Sequence, residues 1–248
     1  MNYFKHFPRV FYSFGDTEIK DVFENLTLYS DVVDQVKDNI AVYTEYYIQP
    51  DERPDQASFK IYDTTDYHWT FYLMNPKLRE QGWPISNAKL FTLAQERYNA
   101  KVITTLNNIS QIMKVGRTIR GLTSGAEGVI THRNLELGQI WIKQSERDFI
   151  SGETATSVNA DGVTETIVVQ SYSDQYNAAH HYKDGDGNFV DLSFDPITGD
   201  YTPVGALTTE VTWLNRLEEE NNELKEIKII KPTIIADVVE SFREAVRV

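Results

Sequence analysis

The chain has 248 residues, 41% of them apolar and 25% charged, which is enough apolar side chain for a packed core and excludes global disorder. Its 37 acidic residues against 24 basic ones give a net charge of −13, a field that repels phosphate backbones and anionic lipid, so neither nucleic acid nor a membrane surface is an expected partner. Cysteine is absent, which excludes disulfides, thiolate metal sites and cysteine nucleophiles together.

Taken in order, the chain begins MNYFKHFPRVFYSFGD, which lacks the apolar stretch of a signal peptide. No run approaches the roughly 20 apolar residues needed to span a bilayer, so a soluble protein made and used without export is expected. Phe4, Phe7, Phe11 and Phe14 make this start too aromatic for a solvated tail, while Pro8 and Gly15 interrupt any long helix. It reads as an arm packed either on its own domain or on a neighbouring subunit. Ser30 then caps a short helix over DVVDQVKDNIAVY, with Asp31 and Asp34 at the positive end of its dipole. Residues 42–48, VYTEYYI, are β-branched and aromatic and read as a strand.

The stretch from Arg53 to Trp83 is the densest in aromatics, with Tyr62, Tyr67, Trp69, Phe71, Tyr72 and Trp83. Such rings bury much area and keep a polar edge, the chemistry of a packed module or a contact surface. Pro54 suits a first helical turn, so residues 54–62 are predicted as a short helix, followed by a second that stops at Asn75-Pro76. Gly82 and Pro84 mark a turn, and Ser86 caps an amphipathic helix with Leu90, Leu93, Ala94 and Tyr98 in register.

From Lys114 the texture changes to short β-like runs punctuated by glycine, which predicts hairpins in a small barrel or sandwich. GLTSGAEG reads as a turn between strands, since it lacks the Lys-Ser/Thr ending of a phosphate loop and no helix follows. Beyond Asn177, KDGDGNF and DPITGDY are two further hairpin signals. A charged run, RLEEENNELKEIK, and an apolar IKII follow. Pro232 opens a last helix with Ile234, Ile235, Val238, Val239, Phe242 and Val246 on one broad face. A helix of that kind must dock on something, either its own domain or a bundle shared with other chains. On the second reading, removal of residues 232–248 leaves a folded protein that fails to assemble.

Candidate chemistry is thin. His180-His181 is the one histidine pair, but neighbours in a strand point to opposite faces and do not share a metal. Asp184, Asp186 and Asn188 resemble half a calcium loop, yet Phe189 stands where that loop needs glycine, and a tight hairpin accounts for the sequence. No GxSxG elbow is present. A non-enzymatic protein with no cofactor and no metal is expected.

The blocks YFKHFPRVFY, YTEYYIQPDERPDQASFKIYDTTDYHWTFYLMN and GWP, with LEEENNELKEIKIIKP and the helix after it, resemble the baseplate wedge protein 53 family of contractile-tailed, T-even-like bacteriophages. About half the chain is covered, and the most specific signal is the ordered set Arg53-Pro54-Asp55, Tyr62, Trp69, Asn75, Gly82-Trp83-Pro84. The resemblance implies an α+β fold: a LysM-like β-α-α module, an inserted small antiparallel β domain and a C-terminal amphipathic helix. The expected segments are 1–40 (aromatic arm and short helix), 41–112 (LysM-like module and following helix), 113–175 (inserted β domain) and 176–248 (hairpins and docking helix). The residue pattern yields no strand after Asn75 to close the module.

The implied function is structural: a virion subunit of the tail baseplate that clamps wedge components and links neighbouring wedges, about six-fold, around the hub. Other wedge proteins and the hub–tube region are the implied partners, with assembly in the host cytoplasm. Phe4, Phe7, Arg53, Asp55, Trp69, Trp83, Ile235, Val239 and Phe242 are the expected contact residues. The alternative is a LysM-type protein that binds peptidoglycan.

Overall fold

A computed structural model of the chain describes residues 9–13, 15, 20–24, 41–143 and 146–246. The helix expected after Ser30 and the side chains of Phe4 and Phe7 lie outside them. The described residues mix helix and sheet, as an α+β chain does.

β1 (Arg9–Tyr12) and β2 (Asp21–Glu24) form an antiparallel hairpin with Val10 opposite Phe23 and Phe11 opposite Val22. β3 (Tyr43–Tyr47) leads to α1 (Pro54–Tyr62), whose start the sequence prescribes twice. Proline occupies the first turn, and Gln56 Oε1 accepts the otherwise orphaned Arg53 N–H at 3.0 Å. Asp63 ends it in a left-handed conformation, φ 58°. α2 (Trp69–Met74) and α3 (Pro76–Gln81) follow, separated by extended Asn75 because Pro76 cannot continue a helix.

α4 (Asn87–Arg97) precedes a seven-stranded antiparallel sheet. It is built from β4 (Lys101–Thr104), β5 (Thr118–Gly121), β6 (Glu127–Asn134), β7 (Gln139–Lys143), β8 (Thr154–Val158), β9 (Thr164–Val168) and β10 (Ser171–Asp174), in the order β10-β4-β7-β6-β5-β8-β9. The two outermost strands of that order are separated in the chain by Val169 and Gln170 alone. Val169 N–H donates to Glu153 O (2.9 Å), whereas Gln170 N–H donates to Thr104 O (2.8 Å). One run of chain thus pairs with β8 by its first half and with β4 by its second, so this shared run joins the two ends of the sheet into a small barrel. Ile103, Ile119, Ile130, Ile140, Ile142, Ala155 and Ile167 point inward from its strands into one core.

β11 (Ala179–Lys183), β12 (Phe189–Val190) and β15 (Thr209–Thr212) make a three-stranded sheet, and β13 (Ser193–Phe194) pairs with β14 (Tyr201–Thr202). The two hairpins read from KDGDGNF and DPITGDY are both present. α5 (Trp213–Glu223), β16 (Glu226–Ile230) and α6 (Ile235–Val246) complete the chain.

β16 pairs antiparallel with β3, from Tyr43 opposite Ile230 to Tyr47 opposite Glu226. The strand that closes the β-α-α unit is therefore the apolar run near the far end of the chain. Contacts divide the chain into one unit of residues 1–86 and 220–248 and a second of 87–219. This differs from four contiguous segments: β4 belongs to the barrel, and β16 and α6 belong with β3. In the first unit Ile48, Ala57, Phe71, Leu78, Leu224, Ile227 and Ile229 form one buried cluster, and Met74, Ile230, Ile235 and Val239 another.

Candidate functional site

The signature residues of the Arg53–Trp83 stretch serve the first unit's framework. Trp83 Nε1 donates to Glu52 O at 2.6 Å, and its ring lies 5.8 Å from Phe71 and 6.1 Å from Tyr72. The Glu52 carboxylate in turn accepts from Tyr46 OH (2.8 Å) and Gln49 N–H (2.9 Å), which fixes the loop between β3 and α1. Burial, with Glu52 beside it, raises the Tyr46 phenol above its ordinary value. Tyr62 stacks near Phe71 at 6.1 Å and donates its hydroxyl to Ile230 O at 2.8 Å, so α1 is fastened to β16. Its burial raises the phenol far above the usual range, so it stays a donor.

Asn75 does the most with one side chain. Its Nδ2 donates to Phe71 O and to Lys228 O, both at 2.8 Å, and its Oδ1 accepts Lys228 N–H at 2.9 Å. The carboxamide thus stands in for a neighbouring strand beside β16 and ties that strand to the end of α2. Both of its hydrogens and its oxygen are used, and aspartate could not replace it.

The expected contact residues separate into groups. Arg53 and Asp55 are close together on the surface, joined by two bonds (Nε to Oδ1 3.0 Å, Nη2 to Oδ2 2.8 Å). Trp69 and Trp83 are half-buried, and Trp69 lies 5.2 Å from Phe242, so both rings are packed within their own unit. Ile235, Val239 and Phe242 are at most 5% exposed. The expectation that these three meet a partner is corrected: the apolar face of α6 is already covered by Met74, Ile230, Tyr62, Tyr67 and Trp69.

Exposed apolar side chains lie elsewhere. In the first unit Val10, Phe11 and Val22 stand out from the β1–β2 hairpin, which is apolar on both faces. In the second, Phe189 and Phe194 are exposed, and Ile197 and Leu207 are 93% and 89% exposed. The sequence carried a signal for Ile197. It occupies the tip of a turn that Asp195 holds through the N–H of Ile197 (2.8 Å) and the hydroxyl of Thr198 (3.0 Å), where an apolar residue has no strand to pack in. A cleft of about 100 Å³ lies between Asn75–Leu78 and Glu223–Ile227, with Leu78, Leu224 and Ile227 in its wall and the Lys77–Glu223 ion pair (2.7 Å) at its rim.

The GLTSG loop that superficially resembles a phosphate cradle is filled from within. Glu153 places its carboxylate against the N–H groups of Thr123 (3.0 Å), Ser124 (2.9 Å) and Ile150 (2.6 Å) and the Ser124 hydroxyl (2.8 Å). Burial works to raise its pKa, but these bonds win and hold it below the usual carboxylate range. A Cβ at Gly121 would collide with Ser124 and this carboxylate.

His180 and His181 contradict strand alternation. The register with β15 shifts between Ala179 and His181, a bulge that turns both rings to one side and sets Nδ1 2.8 Å from Nδ1. Among the described residues no three His, Asp or Glu side chains gather as a metal-ligating group. No helix of the described residues is long and apolar enough to cross a membrane. No protein-family model matches the chain, and no curated protein matches it either.

Proposed function

We propose that the chain is a structural subunit of a contractile-tailed phage baseplate wedge, in which the first unit is a LysM-like module and the second is an inserted β domain. The observation that carries the reading is the coincidence between the wedge-family signature and the framework of the first unit. Tyr62 and Asn75 fasten the helices to β16, and Trp83 closes on Glu52. β3, α1 and α2, followed by the short α3 and completed by β16 from beyond the inserted stretch, support reading the first unit as a LysM-like module with one added helix. The role follows from surfaces: with Trp69, Trp83 and the α6 face committed to the core, contacts to other wedge proteins and to the hub–tube region fall to Arg53, Asp55, the β1–β2 hairpin and the exposed Phe189, Phe194, Ile197 and Leu207. Large apolar side chains at such positions are the usual anchors of protein interfaces.

Co-expression with wedge proteins of a contractile-tailed phage, followed by size-exclusion chromatography, tests this. The expected result is co-elution that weakens when Phe11 and Val22 are changed to Ser. Separate elution from every wedge protein, together with retention on purified peptidoglycan and release by chito-oligosaccharide, would replace it with the glycan-binding reading.

A further inference from the structure

The bulge in β11 assembles a hydrogen-bond chain whose proton positions are determined by its end. Arg216 Nη1 lies 2.7 Å from His180 Nε2, and arginine can only donate, so that nitrogen is bare and accepts. A neutral His180 therefore carries its proton on Nδ1, which lies 2.8 Å from His181 Nδ1. His181 Nδ1 must then accept as well, and the His181 proton sits on Nε2, a buried atom with no hydrogen-bond partner among the described residues. In this arrangement each ring carries one proton, and both bare nitrogens are in use.

No arrangement with one more proton keeps this chain. A proton on His180 Nε2 faces the Arg216 N–H, and one on His181 Nδ1 faces the His180 N–H. Shifting the His180 proton to the other ring nitrogen only moves the clash to Arg216. Among the described residues, the charges acting on His181 include groups from β11 and α5. Lys183 on β11 and Arg216 on α5 oppose a cationic imidazole, Glu219 on α5 favours one, and Glu210 on β15 stands opposite Tyr182 in the strand register. Burial, aided by Lys183 and Arg216 and opposed by Glu219, holds His181 below its ordinary value.

What the chain fastens is the start of α5. Trp213 packs edge-on against His180 at 4.4 Å, Arg216 one turn later takes His180 Nε2, and Glu219 one turn further pairs with Lys183 at 3.1 Å. We propose that His180 and His181 form a proton-sensitive clasp, in which uptake of a single proton releases the first turns of α5 from β11. The sign follows from linkage: the opened state takes a proton near the ordinary histidine value of about 6.5 and the closed state resists it, so the clasp is fully closed above that pH and weakens as pH falls below it.

Two measurements on the full chain test the clasp. Imidazole nitrogen NMR at about pH 7.5 should show two neutral rings, protonated at Nδ1 in His180 and at Nε2 in His181. A cationic ring at that pH, or the opposite tautomers, overturns the proposal. Amide exchange of Trp213–Leu217, corrected for the intrinsic pH effect, should show protection lost by about tenfold between about pH 7.5 and 5.5. In the double variant His180→Gln/His181→Asn, whose amides accept at the same places without titrating, that loss should disappear. Equal protection at both pH values in the parent, or an equal loss in a folded double variant, counts against the clasp. Should the double variant fail to fold, the tautomer measurement on the unmodified chain decides alone.

Discussion

Asn75 carries more of the first unit than its size suggests. It supplies one acceptor and two donors to backbone groups of α2 and β16, and Pro76 prevents the local chain from supplying them instead. Replacing it with Ala leaves the Lys228 N–H and C=O without their partner. Asn75→Ala should cost about 1–3 kcal/mol in chemical denaturation of that unit, whereas Asn75→Asp should cost as much or more, because a carboxylate cannot donate to two carbonyls. Glu153 plays the matching part in the barrel. Both it and Glu165, which burial opposes but the Met113 N–H and Arg117 stabilise, sit below the ordinary carboxylate range. A depressed carboxylate adds stability above its unfolded value of about 4.3, and that stability is lost as pH falls through the folded value. The barrel's melting temperature should therefore drop with acid below about pH 4.5, and Glu153→Gln should lower it at neutral pH and flatten its acid slope. A melting temperature as acid-sensitive in Glu153→Gln as in the parent would remove Glu153 from this account.

At the scale of elements, the local signals were legible and the long-range ones were not. Pro54 and the Asn75-Pro76 stop placed α1 and the end of α2, and Asp-Gly and Thr-Gly turns placed the two late hairpins, because each is dictated within a few residues. The run IKII was visible as apolar, but nothing in its own sequence names β3 as its neighbour. The strand Lys101–Thr104 was hidden for the same reason, since its partners lie in β7 and β10. The histidine pair misled because a bulge, invisible in the alternation of residues, turns both rings to one side. The amphipathic last helix was legible as a helix, and its destination was not. Phe242, 3% exposed, fills a site against Trp69 and the cluster under α6. Phe242→Ala should destabilise the first unit by about 3 kcal/mol or more. Deleting residues 232–248 should abolish that unit's cooperative unfolding and leave the barrel's amides protected in hydrogen exchange. A truncated chain whose β3 amides keep their protection would restore the reading of α6 as a free docking helix.

At the scale of the whole molecule, the chain leaves the first unit after Ser86 and returns to it at Glu220. The two crossings are stitched together on the side of the first unit: Asn221 Oδ1 accepts Ile85 N–H at 2.9 Å, and Asn221 Nδ2 donates to Ile85 O at 3.0 Å. The ends that the inserted unit joins are therefore adjacent. Excising residues 87–219 and bridging the gap with about four Gly/Ser residues should yield a folded module, because closing so short a loop costs little. Circular dichroism and a cooperative melt check this, and a molten product would mean that the first unit depends on the second. Asn221→Ala should weaken the excised module more than the full chain, since these two bonds to Ile85 hold its cut ends in register.

The pairing of β3 with β16 also sets an order of events during synthesis. The backbone of Ala41 meets Lys231 across 190 positions of chain, so when β3 leaves the ribosome its partner has yet to be translated. The barrel, whose strands are all neighbours within the inserted stretch, is complete and can fold while β3 still waits. The nascent chain thus carries a finished barrel and an unpaired, tyrosine-rich strand at the same time. The first unit becomes whole only once β16 has left the ribosome as well.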